Sequence, residues 1–139
     1  MSGRFLRNFG IVMATTAVVT LATSPAAWAS WETTATTVWG DNDMSREWTD
    51  EEYNEIKFKD CHTVSTKSIG VERWQLVTLG LDTRRDDFTF TNCFNGTDAV
   101  STDTQSNLPR GTYYFETDAT CLSCTVSVRK IVVDTTQAD

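Results

Sequence analysis

The sequence predicts an all-β domain, an antiparallel β-sandwich or small barrel of about six to seven strands. Short segments that alternate apolar and polar residues recur along the chain, and clusters of Gly, Asn and Asp separate them. The chain contains neither an internal repeat nor the alternation of strands and helical segments that is typical of a parallel sheet. These observations favour a single β domain over residues 30–139.

The predicted strands share a period of two and a content of Val, Ile, Thr and aromatic residues. Residues 71–82 are apolar on both faces near their middle, so this strand is expected at the centre of the sheet. Phe88, Phe90 and Phe94 are expected on one face of the strand that follows. In order, the strands are residues 30–39, 55–60, 71–82, 88–94, 108–116 (entered by a turn) and 125–134, with a further short one at 99–101.

The segments between these strands are expected to form turns, loops and one helix. Residues 49–52, Thr-Asp-Glu-Glu, match a capping box and predict a short helix. Residues 82–87 are charged and 98–110 are polar without a period, so both are interpreted as loops. Residues 117–124 are short enough for a hairpin connection.

Residues 1–29 are typical of a secretory signal peptide. Arg4 and Arg7 form a positive start, an apolar run follows, and Ala27 and Ala29 occupy the two positions that a signal peptidase reads. The run is shorter than the roughly 20 apolar residues of a membrane span. We therefore expect a secreted, extracellular and bacterial-type protein that has no membrane attachment after cleavage before Ser30.

The charge of the chain limits its partners. The formal net charge is −7, and loss of two arginines with the signal peptide makes it more negative. Such a charge repels nucleic acid, and no basic stripe opposes it. The expected partner is instead an extracellular protein or glycan, and no cofactor is implied. The oligomeric state is left open.

Four cysteines follow the predicted cleavage site, and an even number in an exported small domain indicates two disulfides. We favour Cys61–Cys93 with Cys121–Cys124, because the first closes a long loop and the second clips a hairpin. The pairings that join Cys121 and Cys124 to distant partners stay open.

Three stretches resemble the C-terminal half of small secreted bacterial β-sandwich modules, namely residues 87–90, 95–97 and 108–115. Prepeptidase C-terminal domains and immunoglobulin-like accessory domains are examples of such modules. The resemblance covers about a third of the chain. It implies a sandwich fold and a binding or accessory role.

No catalytic motif is present, so no catalytic residue is assigned and an enzyme is not expected. His62 is the single histidine and is interpreted as an ordinary strand or loop residue. Asp41, Asp43 and Glu52 occupy positions 1, 3 and 12 of a calcium-loop pattern, but position 6 is Arg46 where the loop needs glycine. A solvated acidic loop is preferred, and no metal site is assigned.

Two kinds of surface residue remain as binding candidates. Trp48 is the tryptophan most expected to be exposed, where it could stack on a sugar or a protein. Arg85 and Arg110 lie in predicted loops that could enter a protease. The sequence therefore predicts a secreted binding module for a protein or cell-surface glycan, with an extracellular protease inhibitor that presents an arginine loop as the alternative.

Overall fold

The computed structural model describes residues 30–119 and 123–136, which fold into eight β-strands and one 3₁₀ helix, without an α-helix in those ranges. The predicted signal peptide lies outside them. No helix in the described part of the chain has the length and hydropathy of a membrane span. The elements are β1 Trp31–Glu32, β2 Thr37–Trp39, β3 Asp43–Met44, β4 Trp48–His62, β5 Ile69–Leu76, β6 Thr83–Phe90, the 3₁₀ helix Asn92–Asn95, β7 Val100–Asp118 and β8 Val126–Asp134.

All strand pairs are antiparallel and belong to one sheet, in the order β1-β8-β4-β7-β5-β6. The strand β2 also pairs with β8, and β3 pairs with β7. The predicted all-β antiparallel class is confirmed. The order ends at β1 and β6 without closing, so the sheet is not a barrel, and the predicted sandwich is not confirmed.

Two long strands organise the sheet. The strand β7 has 19 residues and β4 has 15. Their pairing shifts register on either side of Glu52, whose φ of 74° lies in the left-handed region. Such bulges bend and twist long strands. The strand β7 lies between β4 and β5 and pairs with β4 over residues 100–113 and with β5 over residues 112–118.

The short helix predicted at residues 49–52 is wrong, because these residues lie within β4. Trp48 and Asp50 are buried while Thr49 and Glu51 between them are exposed, which is the period of a strand. The Thr-x-x-Glu signal is local, and pairing with β7 on one side overrides it.

Three predicted boundaries are also wrong. The strand predicted over residues 71–82 ends at Leu76, so residues 77–82 form the connection to β6. The charged loop predicted at 82–87 is largely the start of β6, and the polar loop at 98–110 is the first half of β7. The two segments that are strands instead of loops are mostly polar, and their strand geometry comes from hydrogen bonding to a neighbouring strand.

Aromatic side chains fill the core on one face of the sheet. The ring centroid of Phe115 lies 5.2 Å from that of Trp39 and 5.5 Å from that of Phe58, and Phe58 and Phe90 are 5.0 Å apart. These rings come from β7, β2, β4 and β6. Rings at this spacing add about 0.5–1.5 kcal/mol per pair beyond their area burial, so the cluster links both ends of the sheet.

One disulfide joins Cys61, near the end of β4, to Cys93 in the 3₁₀ helix, which confirms the first predicted pair. Cys93 is fully buried. The second predicted pair, Cys121–Cys124, falls partly on Cys121, which lies outside the described residues. No described cysteine is a free thiol, and the Cys124 sulfur lies 3.1 Å from Ser65 Oγ.

Candidate functional site

The most site-like feature of the described residues is a cleft of about 370 Å³ at the β1 end of the sheet. The strands β1 and β2 and the loop between them line most of it, and the segment between β3 and β4 contributes one residue. The lining residues are Trp31, Glu32, Thr33, Thr34, Ala35, Thr37, Trp39 and Arg46. The cleft thus combines indole rings, hydroxyls and a guanidinium.

Pairing with β8 fixes the two tryptophans of this cleft. Trp31 lies opposite Val133 and Trp39 lies opposite Val126. Both indoles rest on Phe115, at centroid distances of 6.2 and 5.2 Å. Trp39 is almost fully buried and Trp31 is half-buried, so each ring is anchored in the core.

Hydrogen bonds to β8 hold the threonines of the cleft. Thr33 Oγ1 accepts a bond from the backbone N–H of Ile131 at 2.9 Å. Thr37 Oγ1 accepts one from Trp39 Nε1 at 2.7 Å and donates to a backbone carbonyl of β8. Thr34 is exposed at the rim. The Thr33 hydroxyl can still donate, since a hydroxyl has one donor in addition to its acceptor sites.

Arg46 forms one wall of the cleft. Its Cζ lies 4.4 Å from the centroid of the Trp31 ring, which is a cation–π contact. Arg46 is exposed, and no carboxylate among the described residues pairs with it. The guanidinium therefore lies near one ring of an anchored indole, and no described carboxylate engages its donors.

A second cleft of about 320 Å³ adjoins the first, and the two share Trp31 and Glu32. Asp134 and Thr136 line its far side. The Asp134 carboxylate accepts two hydrogen bonds from Thr136, which hold the pKa of that carboxyl below its usual range. The two clefts thus form one continuous surface along β1 that has polar side chains in both parts.

A separate polar cluster lies inside the sheet around Arg73. This side chain is fully buried, yet its guanidinium donates to Asn54 Oδ1 at 2.9 Å, to Asp86 Oδ2 at 2.5 Å and to Asp103 Oδ2 at 3.0 Å. Each of the three guanidinium nitrogens donates to an acceptor, and two of the acceptors are carboxylates that compensate the charge. The cluster joins β4, β5, β6 and β7, and we interpret it as structural.

Asp50 lies at the margin of that cluster and is fully buried. Burial raises the pKa of Asp50 to about 6. The backbone N–H of Glu51, the side chains of Trp48 and Asn54 and the charge of Arg73 oppose the rise. Asp50 Oδ2 completes no hydrogen bond within the described residues. The negative charge of the Asp50 carboxylate is thus only partly compensated by hydrogen bonds and by the charge of Arg73.

The structure corrects the expectation of an exposed Trp48. The side chain is 2 % exposed and packs against Tyr113 and Phe115. It lies at the first position of β4, where the alternation of the strand directs it into the core. In this structure Trp48 presents no face to a sugar or a partner.

The two predicted arginine loops are wrong as well, because both arginines lie on strands. Arg85 is on β6, where its guanidinium binds Gln75 Oε1, and Arg110 is exposed on β7. A protease-binding loop is held away from its sheet, whereas these residues are within it. The inhibitor hypothesis depended on arginines in loops, and the structure has these arginines on strands. The hypothesis stays a prediction.

The calcium-loop pattern does not form a loop in the structure. Asp41 lies in a turn, Asp43 is on β3 and Glu52 is at the bulge of β4. The Asp43 carboxylate instead accepts a hydrogen bond from the backbone N–H of Gly40 at 2.5 Å. Within residues 30–119 and 123–136, no group of three or more His, Cys, Asp and Glu side chains could hold a metal ion.

His62 is the last residue of β4 and is largely exposed. Its Nε2 lies 2.6 Å from Asp60 Oδ1, and Arg129 Nε lies 2.7 Å from the other oxygen of the same carboxylate. Asp60 has a φ of 57°, and the register between β4 and β8 is the same before and after it. We interpret the Asp60–Arg129 ion pair as a cross-strand link beside the disulfide.

Comparison with protein-family models and with curated proteins returns no match to this chain. The resemblance to secreted β-sandwich modules therefore receives no support from a family, and function must be argued from the geometry of the clefts.

Sequence reasoning missed Arg46 and the buried Arg73 cluster. Arg73 did carry a signal, since it alternates with Val71 on the inward face of an apolar strand. Arg46 carried none, because its role comes from Trp31, which is far away in the sequence and close in the sheet.

Proposed function

We propose that this protein is a secreted binding module and that the cleft between Trp31, Trp39 and Arg46 binds a glycan. The observation that carries the proposal is the cleft itself, which combines two core-anchored indoles with threonine hydroxyls. Sugar rings present C–H groups that pack on aromatic surfaces and hydroxyls that exchange hydrogen bonds with polar side chains. The lining of the cleft supplies both the aromatic surface and the polar side chains that such a sugar needs.

The shape of the site favours a glycan over a flat protein epitope. Small-molecule sites are concave and largely preformed, with a few placed polar groups among apolar ones. Both clefts are shallow, but they place a few polar groups among apolar ones in this way, and they adjoin along β1. Among the described residues, the most exposed leucines, Leu79 and Leu81, lie in the connection between β5 and β6, and the exposed Val38 and Met44 lie on β2 and β3.

Rigidity supports the same proposal. Phe115 and the pairing of β1 and β2 with β8 hold the indoles. A preformed site loses less conformational entropy when a ligand binds. We therefore expect sugar binding to leave the backbone of the sheet unchanged.

Retention on insoluble polysaccharides tests the proposal. The full-length chain would be produced in an exporting host and incubated with a panel of washed plant, fungal and bacterial wall polysaccharides. We expect retention on at least one, with a reduction of about tenfold for Trp31→Ala, which corresponds to the roughly 1.4 kcal/mol expected from one aromatic contact.

Trp74→Ala is the matched control. Trp74 is also half-buried and stacked on an aromatic ring, Tyr114, but it lies on β5, away from the cleft. Folding of both variants would be checked by thermal unfolding. Retention that is unchanged in Trp31→Ala, or is lost equally in Trp74→Ala, would refute the cleft as the site, and retention on no polysaccharide would refute the function.

A further inference from the structure

We infer that Arg46 makes the cleft selective for glycans that carry carboxylates, so that a uronic acid residue occupies it. This inference rests on the proposed function and names the class of sugar that the same site takes. Two observations carry it. Arg46 is a cation that has no anion as its partner among the described residues, and its guanidinium is held at a defined place in the cleft.

Most other described cations have a carboxylate within 4.0 Å. The acidic side chains exceed the basic ones in the whole chain, by 19 to 12. The ion pairs that other lysines and arginines form are Lys57–Glu55, Lys59–Asp98, Arg73–Asp86, Arg73–Asp103, Arg84–Glu72, Arg129–Asp60, Arg129–Asp98 and Lys130–Glu32. Arg85 instead binds Gln75, and Arg46 lies against Trp31.

The contact with Trp31 positions the guanidinium before any ligand arrives. The indole is anchored on Phe115, and Arg46 Cζ lies 4.4 Å above it. A guanidinium presents five N–H donors in a planar fork that matches a carboxylate with two parallel hydrogen bonds. Holding that fork over a ring reduces the side-chain entropy lost on binding. The ring thus acts as a support for an anion receptor.

The carboxylates near the cleft are not already paired with the guanidinium of Arg46. The Glu32 carboxylate lines the cleft but lies 2.7 Å from Lys130 Nζ, so it is paired with another cation. Glu47 follows Arg46 in the chain and is exposed. The short-range attraction between Arg46 and a uronate competes with the long-range repulsion from the net charge of −7, and salt screens that repulsion beyond about 10 Å.

A pair of matched ligands isolates the carboxylate. The full-length chain would be titrated by calorimetry, at 0.15 M salt, with trigalacturonic acid and with its methyl ester, which keeps the rings and removes the charge. We expect the acid to bind at least tenfold more tightly than the ester. A charge-assisted bidentate pair supports a difference of this size.

Variants of Arg46 assign the difference to its side chain. Arg46→Gln should bring the two ligands within about twofold of each other, and Arg46→Lys should keep part of the preference, because it retains the charge and loses the planar fork. Lys67→Gln is the control, since it removes an exposed positive charge outside the cleft and should leave the preference unchanged.

Each outcome decides the inference. Equal binding of acid and ester, or a preference that survives Arg46→Gln, overturns the role of Arg46 and leaves glycan binding standing. Binding of neither trisaccharide overturns the inference, and the polysaccharide retention assay then shows whether the proposed function fails too. Tighter binding of a capped triglutamate peptide than of the uronate would overturn the sugar assignment in favour of an acidic protein partner.

Discussion

Replacing Asp50 by Asn tests the energetics of the interior most directly. Asp50 is fully buried on β4, and burial raises its pKa from 3.8 to about 6. A shift of about two pKa units corresponds to about 3 kcal/mol, at 1.36 kcal/mol per unit. Because burial penalises the charged carboxylate, the protonated form is the one that the folded protein prefers.

The sign of the pH dependence follows from that preference. Between pH 4 and 6 the folded state holds the Asp50 proton while the unfolded chain releases it, so the contribution of Asp50 to stability falls as the pH rises. The penalty is absent below about pH 4 and complete above about pH 6. Asn carries no charge at any of these pH values. The stability of Asp50→Asn relative to the unmodified protein should therefore increase by at most about 3 kcal/mol from pH 4 to pH 7.

Denaturant unfolding at half-unit pH intervals measures this difference. Comparing the variant with the unmodified protein removes the other groups that titrate in both, such as Asp86, whose pKa burial also raises. Thr49→Ser, an exposed neighbour on the same strand, should follow the unmodified protein throughout. A free-energy difference for Asp50→Asn that is constant from pH 4 to pH 7 would refute the reasoning.

Two further predictions concern the internal cross-links of the fold. Replacing Cys61 and Cys93 together by Ser should lower the free energy of unfolding by about 3–4 kcal/mol, because the disulfide closes a loop with a sequence separation of 32; denaturant titration with and without reductant measures it. Arg73→Met should cost about 3–5 kcal/mol, because it leaves Asp86 and Asp103 without their cation; thermal and denaturant unfolding measure it.

Each of these two predictions has its own control. For the disulfide, reductant should destabilise the unmodified protein and leave the double Ser variant unaffected, and equal stability of the two oxidised proteins would contradict the prediction. For the buried cation, Arg84→Met removes the exposed Arg84–Glu72 pair and should cost at most about 1 kcal/mol. Equal losses for Arg73→Met and Arg84→Met would show that burial of the pair does not matter.

The fold class could be predicted from the sequence because period-two patterns are local. The alternation of Ile56 and Phe58 with lysines places these residues in a strand, and both prove fully buried on β4. The apolar final strand was equally visible, and β8 spans Val126–Asp134. The Cys61–Cys93 disulfide was the pairing favoured by the expected export of the chain and by the loop length, and it is present.

The strand boundaries could not be predicted where long-range pairing replaces local pattern. Residues 100–107 of β7 are polar on both faces, and they become a strand because they pair with β4 and supply Asp103 to Arg73. The capping box at residues 49–52 likewise gave way to sheet pairing. A local sequence pattern carries no information about a partner as distant as Thr112, which pairs with Thr49.

The candidate site was only partly accessible to sequence reasoning. The sequence indicates tryptophans as potential binding groups, which stays a prediction, and its acidic neighbours favour Trp48, although the position of Trp48 on β4 buries it. Trp31 and Trp39 were assigned to a strand, and nothing local showed that the chain between them bends into a cleft with Arg46. The burial of Trp31 and Trp39 and the residues that surround them depend on β8, which lies more than 80 residues later in the chain.

Mapping the bound sugar onto the indoles tests the proposed glycan site most directly. The full-length chain, labelled with ¹⁵N, would be titrated with soluble fragments of whichever polysaccharide retains it, while the indole N–H signals are followed by NMR. We predict that the signals of Trp31 and Trp39 shift with a common dissociation constant while those of Trp48 and Trp74 stay in place. Shifts confined to Trp74, or no indole shift at saturating sugar, would contradict the assignment of the cleft.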